Sequence, residues 1–419
     1  MFRGYMALAG AELTNTSRLV AHARPGVPQS MEEALAQCRC TVPRGYINYD
    51  DSWPGLAVFL GDEQPYTLTS APWYDPTIPQ SEEFLGVWVT ATDGFGPAPV
   101  DRQISDAICA GGVTGAHRDK ARSLTIQAIL IGCTNAGVQY GMEWLGCRLR
   151  DATSLAGTTL EYLAAHPEDS AADPALLRRV MSRVVYTREI RETKSFGTRG
   201  RQHRQGAVKA IDWEMGVLDP YVYGPATSRT VVWGSSVTES IEWAHPPDCE
   251  DPGSCEEIPV LASAVCVPAV VDVAAVQPPV CAGCIPVCEV QTRVAQVPAA
   301  EGVMCRDETV TLTVTAGADL VSVNFWFRPC GSDAACDRTG FLSLAGMPAG
   351  STIVADSVLG RPYGLVNGRQ VRQEGIVHTP TGAPWTPVVL DAGQCWELVA
   401  QHEPGIDFTV QISVRGRQS

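Results

Sequence analysis

Apolar residues take alternate positions from Ser123 to Ile131. Leu124, Ile126, Ala128 and Leu130 mark one face, and on the other Thr125 and Gln127 give way to Ile129 and Ile131. Alternation is the period of a strand, and the apolar second half predicts one buried on both faces. The spacing then changes. Val138, Met142, Leu145 and Leu149 recur at four, three and four, which predicts a helix laying one stripe on a sheet. A second helix is expected where Asp173 can cap and Pro174 can take the first position, with Leu177, Met181 and Val184 along one side and Arg178, Arg179 and Arg183 beside them. Ala207 to Val217 alternates again, with Ile211, Trp213 and Met215 opposite Val208, Ala210, Asp212 and Glu214, the mark of a half-buried antiparallel strand. Gly10 to Ala23 and Gly55 to Leu60 carry strand-like apolar content. Ser30-Met31-Glu32-Glu33 fits a capping box opening a short helix through Gln37.

Beyond Cys305 the period is that of strands throughout. Val310, Leu312 and Val314 share a face; Val321, Val323, Phe325 and Phe327 repeat the alternation; Phe408, Val410, Ile412 and Val414 form a last strand. Asn367-Gly368 is a strong tight-hairpin signal. These short strands predict an antiparallel β-sandwich of roughly 110 residues. From Pro246 to about Glu301 the composition shifts to Pro, Cys, Val and Ala after an acidic start at Asp248, Glu250, Asp251, Glu256 and Glu257. Such a stretch predicts an extended connector. The expected division is a mixed, mainly β domain over 1–248, a Pro/Cys-rich connector over 249–304 and a C-terminal sandwich over 305–419, a mainly β (α+β) fold class overall.

Composition narrows the function classes. The 419 residues exceed what one hydrophobic core usually supports. A formal charge of −15 argues against non-specific binding to nucleic acid or to an anionic membrane. The opening Met1-Phe2-Arg3-Gly4-Tyr5-Met6 lacks a charged region with a long apolar core, so signal-directed export is not expected. Leu261 to Cys288 is apolar but broken by Pro268, Asp272, Pro278, Pro279 and Pro286, so no membrane insertion is expected. Fifteen cysteines, an odd number, leave at least one thiol without a partner. A cytosolic product keeps its cysteines reduced, whereas a particle released by lysis can oxidise them later.

Candidate chemistry is thin. Cys281, Cys284 and Cys288 have part of the spacing of a structural zinc site, which Cys266 or Cys305 would complete; disulfides or free thiols are the competing reading. A redox role for Cys281 and Cys284 needs a helix N-terminus, and prolines surround them instead. No nucleophile elbow, zinc-protease helix, P-loop or dinucleotide fingerprint occurs. The histidines are scattered, and His117-Arg118-Asp119 reads as solvated surface in a Gly-rich loop. Asp50-Asp51 and Glu82-Glu83 are adjacent, so on a strand they point to opposite faces. The chain is not expected to be an enzyme or to carry a cofactor. Trp73 and Tyr74, with Trp53 near them, read as core or subunit interface more readily than as a sugar platform. Arg188 to Lys209, basic and Gly-rich in an acidic chain, reads as a projecting hairpin or arm; Arg199, Arg201 and Arg204 are its interface candidates, and a solvated loop is the plainer reading.

Taken in order, several blocks carry a resemblance: Trp73-Tyr74-Asp75-Pro76, Ser123 to Ile131, Tyr140 to Arg150, Trp213-Glu214-Met215 before Pro220-Tyr221-Val222-Tyr223, the Pro/Cys connector, Val323-Asn324-Phe325-Trp326-Phe327 and Met347-Pro348-Ala349-Gly350-Ser351. Together they resemble the distal tail proteins, minor tail proteins of long-tailed (siphovirus-type) bacteriophages that infect actinobacteria. The resemblance implies a split-barrel-like N-terminal domain that forms a ring, in many relatives six-fold, between the tail tube and the tip hub or baseplate. It also implies a peripheral galectin-like sandwich. The implied partners are further copies of the chain, the tail tube protein, the tip hub or tail-associated protein and the tape measure protein, in a virion assembled in the host cytoplasm. A second reading is carbohydrate binding at the host surface through Trp326 or Trp385. The number of cysteines in the connector departs from the family pattern.

Overall fold

The computed structural model describes residues 1–23, 53, 55–169, 173–196, 207–240, 261–262, 271–272, 289–302, 307–332, 334, 337–372, 376–379 and 384–418. They fall into two compact units, one centred on Met1–Pro225 and one on Ala226–Arg417. Each is mainly β. The helix expected over 30–37 lies outside the described residues.

The first unit contains β1 (Phe2–Leu8), β2 (Ala11–Asn15), β3 (Phe84–Asp93), β4 (Val100–Asp101), β5 (Ile104–Asp106), β6 (Gly112–Thr114), β7 (Arg118–Asp119), β8 (Arg122–Gly132), β9 (Thr158–Leu163), β10 (Arg178–Phe196), β11 (Val208–Val217) and β12 (Val222–Tyr223). Antiparallel pairing runs β2-β1-β9-β10-β11-β8-β3. The sheet encloses a core in which Met6 and Leu8 meet Leu124 and Ile126, Leu160 and Tyr162, and Ile211, Trp213 and Met215. The alternation read at 123–131 and 207–217 is present, and β11 is paired along both edges.

The helix Asn135–Leu149 closes this core. Thr134 caps it by accepting a hydrogen bond from the Gly137 amide at 3.0 Å. Val138, Leu145 and Leu149 of the expected stripe are buried, and Trp144 joins them. Close approach depends on two glycines. A Cβ on Gly137 would lie 2.6 Å from the Glu83 backbone, and one on Gly141 would lie 2.2 Å from the Phe84 ring.

Three sequence expectations are corrected in this unit. Asp173 and Pro174 do begin a helical turn, with Asp173 accepting from the Ala175 amide at 2.9 Å, but it is a single 3-10 turn ending at Leu177. The long strand β10 follows. Its register against β9 shifts between Met181, opposite Leu160, and Val184, opposite Thr158, and Arg183 between them has φ 54°. One extra residue in a strand places positions three apart on the same face, so this bulge imitates a helical spacing. Thr16–Ala23 is a helix, because Asn15 Oδ1 accepts the Arg18 amide at 2.9 Å and so supplies an N-cap. Leu56–Leu60 is also helical, terminated by Gly61 in the left-handed region at φ 74°.

The second unit begins with β13 (Thr227–Thr230) and β14 (Ser235–Ser240), followed by the small pair β15 (Leu261–Ala262) and β16 (Val271–Asp272). Then come β17 (Glu289–Gln296), β18 (Asp307–Ala316), β19 (Leu320–Pro329), β20 (Thr339–Met347), β21 (Thr352–Asp356), β22 (Arg361–Val366), β23 (Arg369–Val371), β24 (Val377–His378), β25 (Val388–Asp391), β26 (Trp396–His402) and β27 (Phe408–Gln418). One sheet runs β13-β27-β18-β21-β22-β23, with β25 also on β18. The other runs β14-β17-β26-β19-β20-β24. Val310, Leu312 and Val314 from the first share a core with Phe325, Phe327, Leu344 and Leu398 from the second. This is an antiparallel sandwich, and its hairpin β22-β23 turns at Asn367 and Gly368 with φ 51° and 74°.

The composition change puts a boundary at 248, whereas the compact units divide between Pro225 and Ala226. The difference is physical: β13 and β14 pair with β27 and β17 of the sandwich. Glu289–Gln296, inside the expected connector, is likewise a sandwich strand. Val290, Thr292 and Val294 give it the alternating β-branched character that strands favour.

Candidate assembly surface

Between β3 and β8 the chain leaves the sheet as a two-stranded hairpin. The departure needs glycine at position 94: its φ is 86°, and a Cβ there would stand 2.0 Å from the Ser123 carbonyl oxygen. The root is held by Arg122, which is buried and donates through Nη1 to the Gly96 carbonyl at 2.6 Å and through Nη2 to the Pro220 carbonyl. Burial lowers the Arg122 pKa from its ordinary value, and Tyr162, Asp219 and Asp119 act in the opposite direction. The loop that receives Arg122 is itself fixed, because Asp219 accepts from Ser182 Oγ and from the Tyr223 hydroxyl, each at 2.7 Å. Tyr221 donates to Asp119 at 3.2 Å, tying β7 to the same loop.

Above the root, β4 pairs with β7 and β5 with β6. Lys120 meets Asp101 at 3.0 Å, and Arg102 donates to the Gly115 carbonyl at 3.3 Å and to Thr114 Oγ1 at 3.2 Å. These contacts order the hairpin without covering its apolar side chains. Val100 is 58% exposed, Ile104 72%, Ile108 104% and Val113 64%, with the free thiol of Cys109 exposed at the tip. Fully burying such a side chain stabilises by about 1.5–3 kcal/mol, so a pre-ordered hairpin holding several of them in water forgoes that stabilisation within its own unit. His117, read from the sequence as part of a Gly-rich loop, stands here with Nε2 3.0 Å from Asp119 Oδ1 and is half in solvent. Sequence reading missed the hairpin as a surface. Its signal was the turn at Gly111-Gly112 between Ile104 and Val113.

The basic arm has a different character. Arg199, Arg201 and Arg204 lie outside the described residues. The part of 188–209 that is described lies in the sheet as β10 and β11, and its cations are answered within the unit. Arg188 meets Glu214 at 2.5 Å and Asp212 at 3.7 Å, Arg191 meets Asp212 at 2.7 Å, and Lys209 meets Glu192 at 3.3 Å and Gln139 at 3.1 Å. The hydrogen bond and the charge of Asp212 raise the Arg191 pKa.

Trp73 is core. Its Nε1 donates to the Phe84 carbonyl at 2.9 Å, and its ring meets those of Phe84 and Trp144 at 5.3 and 5.9 Å. Trp144 Nε1 donates to the Pro72 carbonyl at 3.2 Å and Tyr140 donates to that of Trp73, so 72–74 is strapped to the long helix. Tyr74 is half-buried against the same core. In the sandwich, Trp326 is 6% and Trp385 8% exposed, and the Arg338 guanidinium sits 4.8 Å from the Trp326 ring. Neither indole offers a free face for stacking on a sugar.

Cys281, Cys284 and Cys288 lie outside the described residues. Among the described residues no group of three or more His, Cys, Asp or Glu side chains is placed to hold a metal ion. Cys330 and Cys395 form a disulfide between neighbouring sandwich strands, and Cys109 and Cys147 are free. No helix among the described residues is long and apolar enough to cross a membrane.

No protein-family profile matches the chain, and no curated protein sequence matches it. Among solved structures it is similar to the SPP1 Dit (gp 19.1) protein, a paradigm of hub adsorption apparatus in Gram-positive infecting phages. The identity is 12% and the TM-score 0.39, over 81% of this chain and 96% of that one. It is also similar to a chain of the phage P2 baseplate in its activated conformation with Ca, at 7% identity and a TM-score of 0.40 over 82% and 92% of the two chains. The corresponding baseplate with Sr gives 8% identity and a TM-score of 0.40 over 81% and 92%. Likenesses of this size carry no functional argument by themselves.

Proposed function

We propose that the chain is a structural component of a phage tail tip: a distal tail protein whose copies close into a ring joining the tail tube to the tip hub or baseplate. The carrying observation is the rooted hairpin β4–β7 with its uncovered apolar side chains. An ordered apolar surface with no use inside its own unit requires neighbours, and repeated heterologous contacts close into a ring when the rotation allows. The order of sequence blocks shared with distal tail proteins points to the same role. On this reading the partners are further copies, the tail tube protein, the hub and the tape measure protein; six-fold closure comes from the resemblance, and the location is the virion.

Negative-stain imaging with mass measurement of the full chain tests the reading. Closed rings should appear for the native protein and vanish for the double variant Ile104→Asp, Ile108→Asp, which should remain folded. A native chain that stays monomeric with and without tube protein, or a double variant that still forms rings, would refute it.

A further inference from the structure

The outer half of the hairpin, residues 103–116, carries a single charge, that of Asp106 on β5. Asp106 is exposed and, among the described residues, has no ion pair. Ile104 and Asp106 are two apart on the strand, so they share a face. A neighbour that covers Ile104 therefore also covers a lone carboxylate, which is costly unless the neighbour brings a cation. The surface that fits is apolar and holds one unanswered basic group.

Such a surface lies at the bulge of β10. Outside the hairpin, the exposed large apolar side chains among the described residues of the first unit are Val58, Leu155 and Leu218. Two of these three flank Arg183. Gly157 approaches so closely that a Cβ on it would stand 2.5 Å from the Arg183 carbonyl carbon, which brings the loop of Leu155 to the β9 side. The Leu218 amide donates to the Arg183 carbonyl at 3.1 Å, which sets Leu218 on the β11 side. Leu155 is 97% and Leu218 40% exposed. Arg183 is exposed between them and, among the described residues, has no ion pair. Arg150 and Asp151, ahead of Leu155, add no net charge. Holding a side-chain-bearing residue at φ 54° is strained, and a bulge re-aims the residue it carries. Farther along the same strands Arg188, Arg191 and Lys209 are already answered by carboxylates, so Arg183 is the cation left to a neighbour.

We propose that Leu155, Arg183 and Leu218 form the socket that receives the hairpin tip of a second copy of this chain, with Asp106 of the tip pairing with Arg183 and Ile104 and Ile108 covering the two leucines. The occupant follows from complementarity: each surface is apolar around one unanswered charge, and the two charges are opposite. Tip and socket are different surfaces of one unit, so the contact is heterologous, the kind that repeats around a ring. The proposal rests on the ring reading and names the half of the contact that the hairpin alone leaves open.

The test is a charge exchange in the full chain, read by sedimentation velocity over a concentration series. Asp106→Arg alone and Arg183→Asp alone should each raise the concentration needed for assembly roughly tenfold or more, and the two together should restore it. Both positions are exposed and Asp tolerates the left-handed region, so each variant should unfold at the native midpoint. Leu155→Ser with Leu218→Ser, which leaves every charge in place, should weaken assembly as well. Arg369, exposed opposite Val366 on the sandwich, is the control cation. Rescue of Asp106→Arg by Arg369→Asp in place of Arg183→Asp would overturn the socket. Native rings that Ile104→Asp with Ile108→Asp abolishes, but that the charge exchange fails to restore, would overturn the socket and leave the ring reading standing. A native chain that never assembles would overturn both.

Discussion

The hairpin β4–β7 and the basic strand β10 are both conspicuous departures from a plain sheet, and they resolve their exposed chemistry in opposite ways. On β10 and its partner β11, Arg188, Arg191 and Lys209 find Glu214, Asp212 and Glu192 within the unit. On the hairpin, Ile104, Ile108 and Val113 stay largely exposed. A run of charge looks like a binding surface in a sequence, yet charges on adjacent strands can neutralise one another at little cost. Apolar side chains on an isolated two-stranded element have few neighbours to turn to, so on the proposed reading they mark the surface that a partner would cover.

The largest effect should come from the hairpin root. Gly94→Val places a side chain on the Ser123 carbonyl in a left-handed conformation, and should cost about 3 kcal/mol or more of unit stability. Thermal or denaturant unfolding measures this, and an unchanged midpoint would mean that the hairpin leaves the sheet by another path. Arg122→Met should follow at about 2 kcal/mol, because the Gly96 and Pro220 carbonyls lose their donor. Hydrogen exchange should then quicken at the Lys120 and Gly115 amides, which donate to Pro99 and Gln103; unaltered protection would show that the root is held without Arg122.

How much of this was legible follows from the same contrast. Period-two runs such as 123–131 and 408–414 were readable because each strand buries one face over its length. The helix at 135–149 was readable because its stripe meets the sheet without interruption. The second helix was misread, since a bulge at Arg183 gave a strand the spacing of a helix. The Trp73 block was noticed for its aromatics, but sequence cannot tell a core indole from an exposed one. The same holds for Trp326 and Trp385, whose burial in the sandwich is not readable from sequence. The hairpin was missed because its residues are ordinary, and only pairing without cover makes them significant.

Smaller effects should separate the two regions further. Asp212→Asn leaves Arg191 and Arg188 without their shared carboxylate, and should cost about 1 kcal/mol, less at high salt because Arg191 is largely in solvent. Assembly should be unaffected; its loss would return the basic strand to the interface. Ile104→Asp with Ile108→Asp should change stability by no more than about 0.5 kcal/mol, since exposed side chains contribute little to their own fold. A large loss of stability would show that the hairpin tip is part of the core.

The most direct measurement is the labelling rate of Cys109, the free thiol at the hairpin tip, read by peptide mass mapping in dissociated and assembled protein. If the hairpin is the surface through which copies associate, Cys109 should label freely in the dissociated chain and be strongly protected on assembly. Equal labelling in both states would contradict the account.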